Sequence, residues 1–174
     1  SEDTYAWILF KQKKYDEAFA IYSKLLSIDP LNKDYAEGFH NAKELPLVER
    51  AKKLRKNKDN EAAAAIVEQL ITLSPDKIEY YLMLGLIYVN MGKKDDAIDL
   101  YNHALARKPN DKDVLRALGF IYLNKALDDV AEGTFKWSSC FPFLSFREKT
   151  NLYLGKAKFR EVLAQDPQDA SAMA

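Results

Sequence analysis

The sequence predicts an all-α fold, a superhelical stack of about nine helices arranged as antiparallel pairs. Three observations carry this. First, Pro75 and Pro109 are 34 residues apart, and Pro109 and Pro142 are 33 apart. A fixed period of that size marks a repeat architecture. Second, the segment before Pro109 holds two amphipathic stretches with Gly92 between them, the pattern of a helical hairpin. Third, 6 Gly and 6 Pro in 174 residues leave few tight turns, which argues against an all-β fold. A lone hairpin cannot bury both faces of its helices, so stacked neighbours must do it.

The elements follow in order, within a single domain over residues 1–174. The first unit, about 1–30, carries Tyr5, Ala6, Leu9, Ala18, Tyr22, Leu25 and Pro30. Asp16 and Glu17 place negative charge at the start of its second helix, where the macrodipole favours it. Residues 31–46 are an insertion. Leu31, Tyr35, Phe39 and Ala42 recur at helical spacing, which predicts an extra helix at about 32–44, ended by Pro46. The second unit, about 45–75, is weaker: Leu47, Ala51, Leu54, Ala63, Val67, Leu70 and Pro75. The third, about 78–109, is the clearest. Tyr81, Leu84, Gly85 and Tyr88 share one face, Ala97, Tyr101 and Ala104 share another, and Pro109 ends it. Gly85 and Ala97 let the two helices approach closely. The fourth, about 111–142, opens with Leu115, Leu118, Gly119 and Tyr122, and Ala131 and Phe135 follow. Over 126–147 either this helix runs on, or an irregular connection leads to a long final helix from about 146 to 164. A partial unit, about 144–167, keeps Gly155, Phe159, Val162 and Pro167.

The eight residues of the third unit are those of the tetratricopeptide repeat (TPR), and the chain resembles that family over most of its length. The resemblance implies a right-handed superhelix with a concave groove lined by the first helix of each pair. It places Trp7, Phe10 and Lys11 there from the first unit, and Val48, Lys52, Arg55 and Lys56 from the second. The third contributes Glu79, Leu82, Leu86, Val89 and Asn90, and the fourth Asp113, Arg116, Phe120, Leu123 and Asn124. The expected protein-binding groove is centred on Lys52, Arg55, Leu82, Leu86, Val89, Asn90, Arg116, Phe120 and Asn124. An apolar groove with a charged rim suits a peptide or helix. Alternatively, the chain's own C-terminal segment covers Leu82, Leu86 and Phe120. For Trp7, core packing is expected. Some family members clamp the acidic C-terminal tails of heat-shock chaperones with Lys, Asn and Arg. The matching positions here hold Asp3, Trp7, Glu49, Glu79 and Met83, so that ligand is excluded on charge.

Lys+Arg and Asp+Glu are both 26, so the formal charge is zero, which argues against a dedicated nucleic-acid binder. The basic run Lys52, Lys53, Arg55, Lys56 and Lys58 is then a solvated helix face sooner than a docking site for an acidic partner or nucleic acid. Phe135, Trp137, Phe141, Phe143 and Phe146 either cap the stack or form a surface for self-association. Cys140, the single cysteine, reads as a small buried hydrophobe and excludes an internal disulfide. It fits reducing and oxidising compartments alike, and a cytoplasmic location is mildly favoured. No apolar run is long enough to cross a bilayer. The start lacks Met and a signal peptide, which suggests a processed chain or a fragment.

His40 and His103 have no metal-ligand spacing, and no phosphate loop or nucleophile elbow occurs. Asp95-Asp96 and Asp128-Asp129 read as helix-start residues. No catalytic residue, cofactor or metal is expected. The expected function is a non-enzymatic interaction module or scaffold. The alternative is an assembly subunit joined through the aromatic C-terminal end. Nucleic-acid binding through helix 50–58 comes last.

Overall fold

The computed structural model describes residues 1–131 and 146–173. Among these residues every regular element is a helix, and they fall into two compact units, Ser1–Leu73 and Ser74–Ala174. Phe135, Trp137, Cys140, Phe141, Pro142 and Phe143 lie outside the described residues, as do the side chains of Ala131 and Phe146.

Unit 1 contains α1 (Glu2–Lys11), α2 (Tyr15–Ile28), α3 (Lys33–Lys56) and α4 (Asn60–Leu73). Sequential helices pack on one another, and α1 also touches α3. Ala6 and Leu9 of α1 meet Ala18, Tyr22 and Leu25 of α2 and Ala42 of α3 in one core cluster. Tyr35 and Phe39 pack against it, and the Phe39 ring lies 4.7 Å from Phe19.

The inserted helix does not end at Pro46. It continues through the first helix of the second repeat as one 24-residue α-helix. An interior proline forfeits one backbone bond and crowds the preceding turn. Ala42, Glu44, Val48 and Ala51 are buried on both sides of it, and α3 packs on both α2 and α4. Those contacts hold the helix together across the proline. The helix starts at Lys33, close to the expected start at about 32. Asn32 is its N-cap, accepting from the backbone N–H groups of Asp34 (3.1 Å) and Tyr35 (3.3 Å), and Leu31 is left exposed.

Unit 2 contains α5 (Ile78–Asn90), α6 (Lys94–Arg107), α7 (Lys112–Ala131), α8 (Phe146–Gln165) and the four-residue α9 (Ala170–Met173). Helix α6 packs on α5 and α7, α5 touches α7, and α8 packs on α7 and α9. Leu84, Ile87, Leu115, Leu118, Val114 and Val162 are fully buried.

The fourth repeat takes a form that its spacing left open, a first helix that runs on and a long final helix at 146–165. Its first helix runs on to Ala131, and its packing partner is α8. Gly119 and Gly155 mark the crossing. A side chain on Gly119 would meet the Phe159 ring at 2.9 Å, and one on Gly155 would meet Leu123 at 3.1 Å and the Gly119 carbonyl at 3.2 Å. Gly155, Phe159 and Val162 therefore complete the repeat that Leu115 opens.

The turns explain why. Lys13, Lys58 and Gly92 stand at equivalent positions after α1, α3 and α5, all with φ between 62° and 77°. In each case the next residue's N–H reaches back to close the helix end: Lys14 to Leu9 (2.9 Å), Asp59 to Leu54 (3.0 Å) and Lys93 to Tyr88 (2.8 Å). The equivalent residue of the fourth repeat is Ala126, a strong helix former that is buried. Helix α7 continues through it. Asp128 accordingly does not start a helix: it pairs with Lys94, and Lys125 pairs with Asp95, stitching the extension to α6.

Candidate functional site

Seven of the nine expected groove residues lie in unit 2. Leu82, Leu86, Val89 and Asn90 recur on one face of α5, and Arg116, Phe120 and Asn124 on one face of α7. These two helices touch. Leu86 is 44% exposed and Phe120 is 46% exposed, values high for large apolar side chains. Asn90 and Asn124 are exposed, while Leu82 and Val89 are half-buried. Phe120 meets Phe159 edge-on at 5.1 Å, so α8 covers one side of its ring and leaves the rest open. Leu123 is packed against Gly155.

Arg116 differs from a free rim cation. It is half-buried, bonded to Asp113 at 2.6 Å and paired with Asp169. The Asp169 bond, and then Asp113, raise its already high pKa further against the opposing effect of burial. Its work is to tie the segment before α9 to α7. Lys52, exposed, and Arg55, half-buried, belong to α3 of unit 1, where Val48 is buried.

Unit 1 holds a cleft of about 470 Å³. Helix α1 supplies Asp3, Thr4, Trp7, Phe10 and Lys11 to it, α2 supplies Tyr22, and α3 supplies Asp34, Tyr35, Glu37, Gly38 and Asn41. The Tyr22 ring occupies the place of a side chain at position 38, so α3 sits close on α2 there. Burial, and then the Asp3 charge, push the Tyr22 phenol up. Trp7, expected in the core, is 54% exposed, and the Lys11 ammonium lies 5.2 Å from its ring centroid. The core position on α1 is taken by Ala6, one residue earlier and fully buried. Phe10 and Lys11, unlike Trp7 with its expected place in the core, were legible as groove residues. The α3 contribution was not, although Asp34, Glu37, Gly38 and Asn41 stand at the i, i+3, i+4, i+7 spacing of one helical face.

Glu49, an expected clamp position, is engaged. It accepts from Lys13 at 2.9 Å and from the Tyr15 hydroxyl at 3.2 Å, and the Lys13 bond lowers its pKa. His40 lies 3.8 Å from Glu44, and His103 is exposed on α6. Among the described residues no group of three His, Cys, Asp or Glu is placed to hold a metal ion. No helix among them is long and apolar enough to cross a membrane.

Two sequence models of the tetratricopeptide repeat match the chain, one over residues 54–121 and one over 4–30. Together they span more than half of it, and the chain belongs to the tetratricopeptide-repeat proteins. Such repeats serve in general as protein–protein interaction modules, and proteins built from them are generally non-enzymatic scaffolds. Among solved structures, the chain is similar to a putative protein binding protein from Bacteroides ovatus, at 14% identity and a TM-score of 0.62, covering 99% of this chain and 91% of that one. It is also similar to YrrB, described as a TPR protein with an unusual peptide-binding site, at 14% identity, a TM-score of 0.55 and coverage of 99% and 88%. A third is the human IFIT1 dimer with m7Gppp-AAAA, at 17% identity and a TM-score of 0.56, where 98% of this chain spans 43% of that one. At these identities the likeness is one of fold. No curated protein sequence gives a significant match.

Proposed function

We propose that the chain is a non-enzymatic interaction module that binds a peptide or protein segment in a concave groove formed by the first helix of each repeat. The exposure of Leu86 and Phe120 on neighbouring helices carries this reading. Both sit at helical positions where a packed monomer would place polar groups, and an exposed apolar strip of this kind marks an interaction surface. Leu82 and Val89 would widen the apolar contact. Asn90 and Asn124 would supply the amide groups that hold an extended backbone, and Lys52 and Arg55 are proposed as binding residues of the second repeat within unit 1. The peptide-binding site named for YrrB supports the reading by analogy of fold alone.

The test compares wild type with Leu86→Glu, Phe120→Glu in affinity capture from the source lysate. Circular dichroism first establishes that the variant keeps its helices. A captured protein is then purified and titrated against both forms. Binding that weakens by about 100-fold or more in the variant supports the groove, since burying two unpaired carboxylates costs several kcal/mol. Equal affinity sinks it.

A further inference from the structure

We propose that the unit 1 cleft is a docking site for an arginine-bearing, cationic segment of a partner protein. This rests on the reading of the chain as an interaction module, but it concerns other residues than Leu86 and Phe120. The cleft presents three carboxylates, Asp3, Asp34 and Glu37, and one lining cation, Lys11. None of the three carboxylates enters an ion pair among the described residues. Other acids of the same unit are engaged: Glu2 by Lys24, Glu17 by Lys14 and Glu49 by Lys13. The Lys11 ammonium stands over the Trp7 ring instead. That contact engages the indole with a cation of the chain itself, for which a partner's guanidinium would have to substitute, and the ring is more than half exposed.

These features match a guanidinium group better than any other protein side chain. Arginine stacks on an aromatic face and at the same time donates two parallel bonds to a carboxylate. A lysine ammonium does one or the other. Trp7 and Tyr35 provide aromatic surface, Asp34 and Glu37 are exposed acceptors one helical turn apart on α3, and Asp3 faces them from α1. Thr4 and Asn41 add polar groups that can meet a peptide backbone. The volume lies within the range of about 300–1,000 Å³ of side-chain-sized ligand pockets. An acidic segment or a phosphate backbone would meet three negative charges, which disfavours both.

The probe is a fluorescein-labelled peptide, Gly-Ser-Arg-Leu-Arg-Ser-Gly, titrated by fluorescence polarisation. The same peptide with Lys or Glu in place of both Arg serves as comparison. The expected result is saturable binding of the Arg peptide, weaker binding of the Lys peptide and none of the Glu peptide. Asp34→Asn, Glu37→Gln is expected to weaken the Arg peptide by about ten-fold or more, as is Trp7→Ala. Both are changes at exposed side chains, so the fold survives, as circular dichroism checks. Leu86→Glu, Phe120→Glu changes no residue that lines the cleft and is expected to leave this affinity within about two-fold. Absence of saturable Arg-peptide binding, equal binding of the Glu peptide, or indifference to the carboxylate variant each overturns the proposal. If the cleft fails while a captured partner still depends on Leu86 and Phe120, the cleft assignment alone falls. If neither surface binds, the module reading falls with it.

Discussion

The ring of Tyr101 stands where a side chain at position 85 would begin, so Gly85 and Tyr101 share one packing site between α5 and α6. The Tyr101 hydroxyl donates to the Leu82 carbonyl at 3.4 Å on the same stretch of α5. Gly38 and Tyr22 repeat the relationship in unit 1, and Gly119 and Phe159 repeat it between α7 and α8. In each case a helix gives up a Cβ so that an aromatic ring can lie against its backbone.

Gly85→Ala is expected to destabilise the protein by about 1–3 kcal/mol, the usual cost of overfilling a packed core. Urea denaturation followed by circular dichroism measures it. A change below about 0.5 kcal/mol would mean that the ring moves freely and that the close approach is not required.

Burial pushes the Tyr101 phenol up to about 12, whereas the unfolded chain ionises near 10. Stability is therefore full below about pH 10 and falls as pH rises toward 12, because the unfolded chain loses a proton that the folded one keeps. The loss over that window is about 3 kcal/mol. Tyr101→Phe is expected to flatten the alkaline limb of a pH–stability curve by an amount of this order. An unchanged limb would place the responsible group elsewhere.

Asp111 caps α7 through the backbone N–H groups of Asp113 (3.1 Å) and Val114 (3.2 Å) and meets the Lys108 ammonium at 2.8 Å. Burial pushes its carboxyl up, but the Lys108 bond and the two N–H donors prevail and hold it below its ordinary value. Its charged form thus stabilises the fold above the ordinary carboxylate range, and that stability is lost as pH falls through the lowered value. Asp111→Ala is expected to cost about 1–2 kcal/mol at pH 7. Asp111→Asn keeps an acceptor and should lose less, with a flatter acid limb. Equal losses for both variants would argue that the charge, and not the cap, matters.

Lys58 adopts φ 63° in the turn after α3, a conformation that costs a non-glycine residue about 1–2 kcal/mol. Lys58→Gly is expected to raise stability by about 0.5–1 kcal/mol after the added freedom of the unfolded chain is counted. Gly92→Ala, at the matching turn with φ 77°, should lower it by about 1 kcal/mol. Thermal and urea midpoints report both. Shifts of the same sign would contradict a shared turn geometry.

Phe159→Ala is expected to cost about 2–4 kcal/mol, because its ring fills the space over Gly119 and meets Phe120. A loss no larger than that of an exposed surface residue would contradict α8 as the partner of α7.

Much of this protein was decided locally. The 33–34 residue period, the small residues at Gly85 and Ala97, and the apolar faces of α5 and α6 are enough to specify paired helices, because each hairpin carries its own spacing and its own stop. The Leu86 and Phe120 positions were legible for the same reason: the faces of a helix follow from its period. What depended on neighbours was not legible. Pro46 reads as a stop, and only the burial of Ala42, Val48 and Ala51 against α2 and α4 carries α3 through it. Ala126 stands where Lys13, Lys58 and Gly92 turn the chain, and whether the chain turns there depends on tertiary packing, since lysine tolerates the same strained turn twice. Trp7 looks like a core residue by composition, yet Ala6 takes the core position and leaves the indole on the wall of the cleft. The residues of that cleft lie up to 38 positions apart in the chain, and only the packing of α1 and α3 on α2 brings their charges to one place.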